Sequence, residues 1–134
     1  MPKTDHRVGR SGFTLVELMV AILLIGLLAA FSTQRVGVIR EHGLIVTMRS
    51  DLRHLAVAEE SYAYDTATYT SDVARLKSRG LQTSPGVELT IQEATVTGWS
   101  ATATHAQTAR ACYLIVGDAA PVGAAVDDGV IICD

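Results

Sequence analysis

The chain has 134 residues, of which 49% are hydrophobic and 19% charged. That length holds one small core, and the composition excludes an intrinsically disordered polymer. A net charge of −3 gives no general pull toward nucleic acid, and two cysteines are too few for a zinc cage or a disulfide-dense scaffold.

Residues 1–12 form a short leader with Lys3, Arg7 and Arg10 against Asp5. From Phe13 to Phe31 the chain reads FTLVELMVAILLIGLLAAF, with Glu17 as its one charge. At 1.5 Å per residue a helix of this length covers roughly 28 Å, about the thickness of a bilayer's hydrocarbon core. The basic flank predicts a single span with the N-terminus inside. A cleaved secretory signal fits less well, because its apolar core runs to about 15 residues and ends in a small-residue A-x-A site. Ala29-Ala30-Phe31-Ser32 does not match that site. Glu17 is the anomaly. A carboxylate at the bilayer centre costs about 2.5–3.5 kcal/mol and less near an interface. It therefore snorkels to the membrane surface or meets a cation, and in a low-dielectric setting such a pair would fix register.

No proline falls between Pro2 and Pro85, and from Ser32 to about Tyr64 the composition suits helix. Ile45, Met48, Leu52, Leu55 and Tyr62 follow helical spacing, while Arg49, Asp51, Arg53, Glu59 and Glu60 are expected largely off that stripe. The pattern predicts one helix from Phe13 to roughly Tyr64, on the order of 75–80 Å long. Residues 13–32 would be its membrane or filament-core half, and residues 33–64 would pack on a head. Gly26, Gly37 and Gly43 interrupt it, each costing about 1 kcal/mol relative to Ala. Gly26 is the candidate bent or melted point. His42 and His54 have no acidic or cysteine neighbour at ligand spacing, so no metal role follows.

Residues 65–134 form the predicted head. A polar turn-rich loop leads to a short helix from Val73, capped by Ser71 or Asp72 and ended by Gly80. Ser84-Pro85-Gly86 reads as a turn, and Val87, Leu89 and Ile91 then alternate with Glu88, Thr90 and Gln92. Further strands are expected over 99–104, 112–116 and 130–133. The connections suit a four-stranded antiparallel meander with one face on the helix stripe, an α+β fold.

Gly12-Phe13-Thr14-Leu15-Val16-Glu17, with a basic leader before it and an apolar helix after it, resembles the N-terminal signal of type IV pilins and pseudopilins. The resemblance implies that a prepilin peptidase cuts after Gly12 and N-methylates Phe13. It also implies that Glu17 of one subunit pairs with the Phe13 amine of its neighbour. Many members carry a helix-breaking proline in the lower part of this helix, which this chain lacks. Cys112 and Cys133 resemble the C-terminal disulfide loop of many pilins, and outside the cytoplasm a disulfide is the natural state; two free buried thiols are the alternative. Tyr69, Gly98-Trp99-Ser100-Ala101 and Cys112 also look like the bacterial pilin head.

The function so implied is structural. The subunit would sit in the inner membrane as a single-pass protein and then polymerise with itself into an extracellular filament. Its partners would be the peptidase, an assembly platform and, across the membrane, an assembly ATPase, where hydrolysis occurs. A pseudopilin forming a periplasmic piston for type II secretion is the nearest alternative, beside a minor pilin. A membrane-anchored monomeric binding module is the alternative of another class. Asp118, Asp127 and Asp128 are candidate calcium ligands if the pseudopilin reading holds, although their spacing lacks EF-hand order; no other cofactor is expected. His105 has no base-and-orienter motif around it, so no enzymatic activity is expected. The leader holds three cations and one anion, so its removal lowers the net charge from −3 to −5. Arg75, Lys77 and Arg79 are then the one local basic cluster considered for nucleic acid, and a solvated helix face accounts for them.

Overall fold

A computed structural model describes residues 12–32 and 36–134. The chain divides into a unit ending at Gly37 and a second from Val38 to Asp134. Two helices stand where one was expected: α1 over Leu15–Ser32 and α2 over Val36–Thr66. The expected continuity between them falls on residues 33–35, outside the described residues. α1 stays helical through Gly26. Among the described residues no helix is long and apolar enough to cross a membrane. The 18 residues of α1 make about 27 Å, the lower edge of what a span requires.

In the second unit, α2 is followed by α3 (Val73–Ser78) and by strands β1 (Val87–Ala94), β2 (Gly98–His105), β3 (Ala111–Gly117) and β4 (Ile132–Cys133). The strands form one antiparallel sheet in the order β1-β2-β3-β4, the expected meander. β1 runs two residues past the expected alternation, carried by a bulge between Ile91 and Glu93. β4 is shorter than expected, because Val130 belongs to the incoming loop and hydrogen-bonds Asp127 instead of the sheet.

The expected stripe of α2 is the core. Met48, Leu52, Leu55 and Tyr62 pack with Leu89, Ile91, Trp99, Ala101, Ala103, Cys112 and Leu114, and Ile45 borders them. Val87, Leu89 and Ile91 point inward as the alternation predicts, while Glu88, Thr90 and Gln92 are exposed. The helix ends at Thr66, two residues later than expected. Its stop is Ala67, a non-glycine residue at φ 59°, in the left-handed region that favours glycine. α3 is capped by Asp72, whose carboxylate accepts from the Arg75 amide, and Gly80 follows its end at φ 108°.

The outer face of the sheet is partly covered by the chain after β3. Gly123 lies against the Tyr113 ring so closely that a Cβ there would overlap the ring carbons. Ala125 is buried, the Gly129 amide donates to the Ile115 carbonyl, and the Gly117 amide donates to Asp128 at 2.7 Å. This loop has no alternating pattern, and contacts back to β3 shape it.

Candidate functional site

The candidate assembly determinants lie at the start of α1. Thr14 precedes the helix, and its hydroxyl accepts from the Glu17 amide at 3.3 Å. The Glu17 carboxylate in turn accepts from the Thr14 amide at 3.5 Å. These reciprocal bonds form a capping box, which satisfies two of the four orphan donors of the first turn. The negative side chain also sits at the positive end of the helix dipole. Glu17 therefore has a local partner within its own helix, beside the two expected fates of snorkelling or meeting a cation. The Thr-x-x-Glu spacing before an apolar run was the signal that would have shown it.

The rest of α1 has no polar face. Leu15, Met19, Ile22, Ile25 and Leu28 are all exposed, as are Val16, Val20, Leu24 and Leu27 on other sides of the helix. A helix apolar all round is stable only when covered by lipid or by other apolar helices. Phe13, before the helix, is also exposed. Gly26 has open space around it, with nothing within 4 Å of a Cβ built there.

The cysteines expected to pair do so. Cys112 and Cys133 occupy directly opposite positions on β3 and β4 and are joined by a disulfide, 21 residues apart in sequence. The Arg49 guanidinium of α2 donates to the Cys133 sulfur at 3.3 Å. Asp134 next door accepts from the Ala111 amide and from the Tyr113 hydroxyl. These bonds hold its carboxyl below the usual carboxylate range, the Ala111 amide most strongly. The bridge thus closes the loop that covers the sheet.

Of the calcium candidates Asp118, Asp127 and Asp128, the last lies beside Gly117, one residue from Asp118. Among the described residues no group of three or more His, Cys, Asp or Glu side chains is placed to hold a metal. Asp128 is instead engaged by the Gly117 amide. In the basic cluster, Arg75 donates to the Tyr62 hydroxyl, and Arg79 pairs with Asp65 at 2.8 Å while lying over the Tyr62 ring. Two of those three cations therefore bind α2, and their role there is to hold α3 in place.

Two acids expected off the stripe are instead buried. Asp51 is 1% exposed and Glu59 fully buried. Asp51 accepts from the Ser84 amide at 2.7 Å and hydroxyl at 2.9 Å, fixing the turn before β1. Glu59 accepts from the Thr70 amide at 3.1 Å and so ties the loop after α2 to the helix. Its other oxygen, Oε1, has no hydrogen-bond partner. Burial pushes the Glu59 carboxyl up to about 7, only partly offset by the Thr70 amide. The physical reason for the error is spacing: both residues fall three or four positions from Met48, Leu55 and Tyr62, so they share the core face.

A capped helix, apolar but for Glu17, before an α+β head stapled by one disulfide defines a subunit with an apolar helical unit and a separate folded head. A profile of the prokaryotic N-terminal methylation motif matches residues 7–33. The chain is 32% identical over 95 residues to the type IV wide pilus major component PilA4 of Thermus thermophilus, covering 70% of this chain and 72% of that protein. It is also 32% identical over 66 residues to the type II secretion system core protein G of Pseudomonas aeruginosa, covering 49% of this chain and 46% of that one. The chain therefore spans less than half the length of the secretion protein. It belongs to the type IV pilin and pseudopilin family and is a structural, pilin-type subunit.

Proposed function

We propose that the chain is cut after Gly12, N-methylated on Phe13 and held in the inner membrane through residues 13–32. It is then drawn into a helical homopolymer. The observation that carries this reading is α1: apolar round its circumference, exposed along its length, and charged only at Glu17 in its first turn. Lipid covers such a surface before assembly, and the α1 helices of other copies cover it afterwards. Glu17 keeps one oxygen on the Thr14 amide, which leaves the carboxylate able to accept from the Phe13 amine of a neighbour. Gly26 supplies the one low-propensity point in α1 at which the helix can bend on packing. The peptidase, an assembly platform and its ATPase act on the chain, and the chain itself performs no catalysis.

The pilus form is favoured over the secretion piston by the longer match to PilA4 and by a head closed through Cys112–Cys133. The shorter match to core protein G supports the second reading, a periplasmic pseudopilus. Shearing the native cells, imaging the released fraction by electron microscopy and sequencing it by mass spectrometry separates the two. Long filaments made mainly of this chain and starting at methylated Phe13 are expected. Processed chain confined to the envelope would favour the pseudopilus, and an uncut N-terminus in both fractions would refute the processing step.

A further inference from the structure

α2 carries a second apolar line on the side away from the sheet. Ile39, Val46, Val57 and Tyr64 are 67%, 65%, 70% and 91% exposed. At roughly 100° per residue they fall within about 20° of one another and on the opposite side of the helix from Met48. Such a line is not needed for the fold, since the head's core is complete without it.

Charge is graded along the same helix. Between Val38 and His54 the exposed cations are Arg40, Arg49 and Arg53. Arg49 donates one N–H to the Cys133 sulfur but keeps its charge unpaired by any acid among the described residues. The two acids of this stretch are engaged within the subunit, Glu41 with Arg110 at 3.2 Å and Asp51 with Ser84. Between Leu55 and Asp72 there is no Lys or Arg. Asp65 and Asp72 there are paired with Arg79 and Arg75 of the α3 segment. Glu60 forms no ion pair among the described residues and only accepts from the Tyr69 hydroxyl. The lower half of the outer face is therefore apolar and basic, and its upper end is apolar and acidic. Beside the upper end, a recess of about 420 Å³ is lined by Val57, Ala58, Ser61 and Leu81 together with His54 and Arg79, the latter paired with Asp65.

We propose that these patches are the two halves of one contact between copies of this chain. The lower patch of one copy (Ile39, Val46, Arg49, Arg53) docks on the upper patch of the next (Val57, Glu60, Tyr64). The complementary charges identify the occupant, because each copy presents both the basic half and the acidic half. A contact between two different patches of the same chain is heterologous and repeats without using itself up, as a filament requires. Tyr64 supplies the aromatic anchor and the opposed charges set the order of the partners. This inference rests on the filament reading above and adds to it a contact made by the head unit.

The test uses the full chain in its native envelope. Arg49→Glu/Arg53→Glu and Glu60→Lys variants are expressed singly and then together. Like charges facing each other should cut the sheared filament yield of each single strain at least about tenfold. Co-expression should restore filaments containing both chains, because each variant then offers the half that the other needs. Wild-type yield from either variant alone would overturn the contact. So would failure of co-expression when both variants keep the wild-type unfolding curve. A second measurement stands apart from assembly and from folding of the charge variants. Val46→Cys and Tyr64→Cys, placed on separate chains, should give a disulfide-linked pair in the envelope. Absence of that link, or links only to foreign proteins, overturns the proposal. A link in cells whose wild-type chain yields no sheared filament would keep the contact and refute the filament reading alone.

Discussion

Replacing Glu59 by Gln removes, among the described residues, the one buried carboxyl that has an unpartnered oxygen, and its effect depends on pH. In the unfolded chain this group titrates near 4.5, and in the head near 7. The folded state therefore holds the proton more tightly, and the stability this confers is fully present below pH 4.5 and lost as pH rises through 7. At about 1.4 kcal/mol per unit the full shift corresponds to roughly 3 kcal/mol. Trp99 is the single tryptophan and is fully buried, so urea unfolding of the detergent-solubilised chain can be followed by its fluorescence. The wild type should lose stability between pH 5 and pH 8, and Glu59→Gln should flatten that slope, with an advantage over wild type at pH 8. Identical slopes in the two proteins would refute the assignment of the pH dependence to Glu59.

Other perturbations have definite expected signs. Ala67→Gly removes the left-handed strain at the end of α2 and should raise head stability by about 1 kcal/mol in the same assay. Asp72→Ala removes the cap of α3 and should cost about 1 kcal/mol. Reducing Cys112–Cys133 opens a loop of about 20 residues and should cost roughly 3 kcal/mol in the chain-entropy account. The loop after β3 should then become the first site of limited proteolysis. Gly123→Val forces a side chain into the Tyr113 ring and should loosen that loop by more than about 1 kcal/mol. Because no group of three or more acidic, His or Cys side chains is placed to hold a metal among the described residues, a calcium chelator should leave the unfolding midpoint unchanged; a shift of several degrees would show a calcium site at Asp118, Asp127 and Asp128.

What the sequence made legible followed from strict periods. Val87, Leu89 and Ile91 alternate with polar neighbours, and the strand formed there with its register inward. Met48, Leu52 and Leu55 keep helical spacing, and they became the core. The failures arose where residue type was allowed to outweigh position. Asp51 and Glu59 stand on the core face, and their charge suggested solvent, but backbone donors at Ser84 and Thr70 make their burial tolerable. No local pattern announces those donors, since they arrive from 33 and 11 residues away. The loop between β3 and β4 was illegible for the related reason that Gly123 on Tyr113 and Asp128 on Gly117 are meetings of distant residues. At the start of α1, by contrast, Thr14 and Glu17 stand at capping-box spacing, a pattern local enough to be legible in the sequence alone.

The reciprocal bonds of Thr14 and Glu17 bear on how a subunit passes from one neighbourhood to another. A carboxylate that accepts from its own backbone at the positive end of the helix dipole is already partly stabilised before any partner arrives, which in the proposed pathway would ease its stay in lipid. Because only one of its oxygens is committed to the Thr14 amide, a second donor can be accepted before the first is released. Under the proposed pairing, the exchange would need no unwinding of the first helical turn. Aspartate at position 17 would keep the charge but shorten the reach by one methylene. Glu17→Asp would thus separate the role of holding the helix start from that of receiving a neighbour, which removal of the charge altogether confounds.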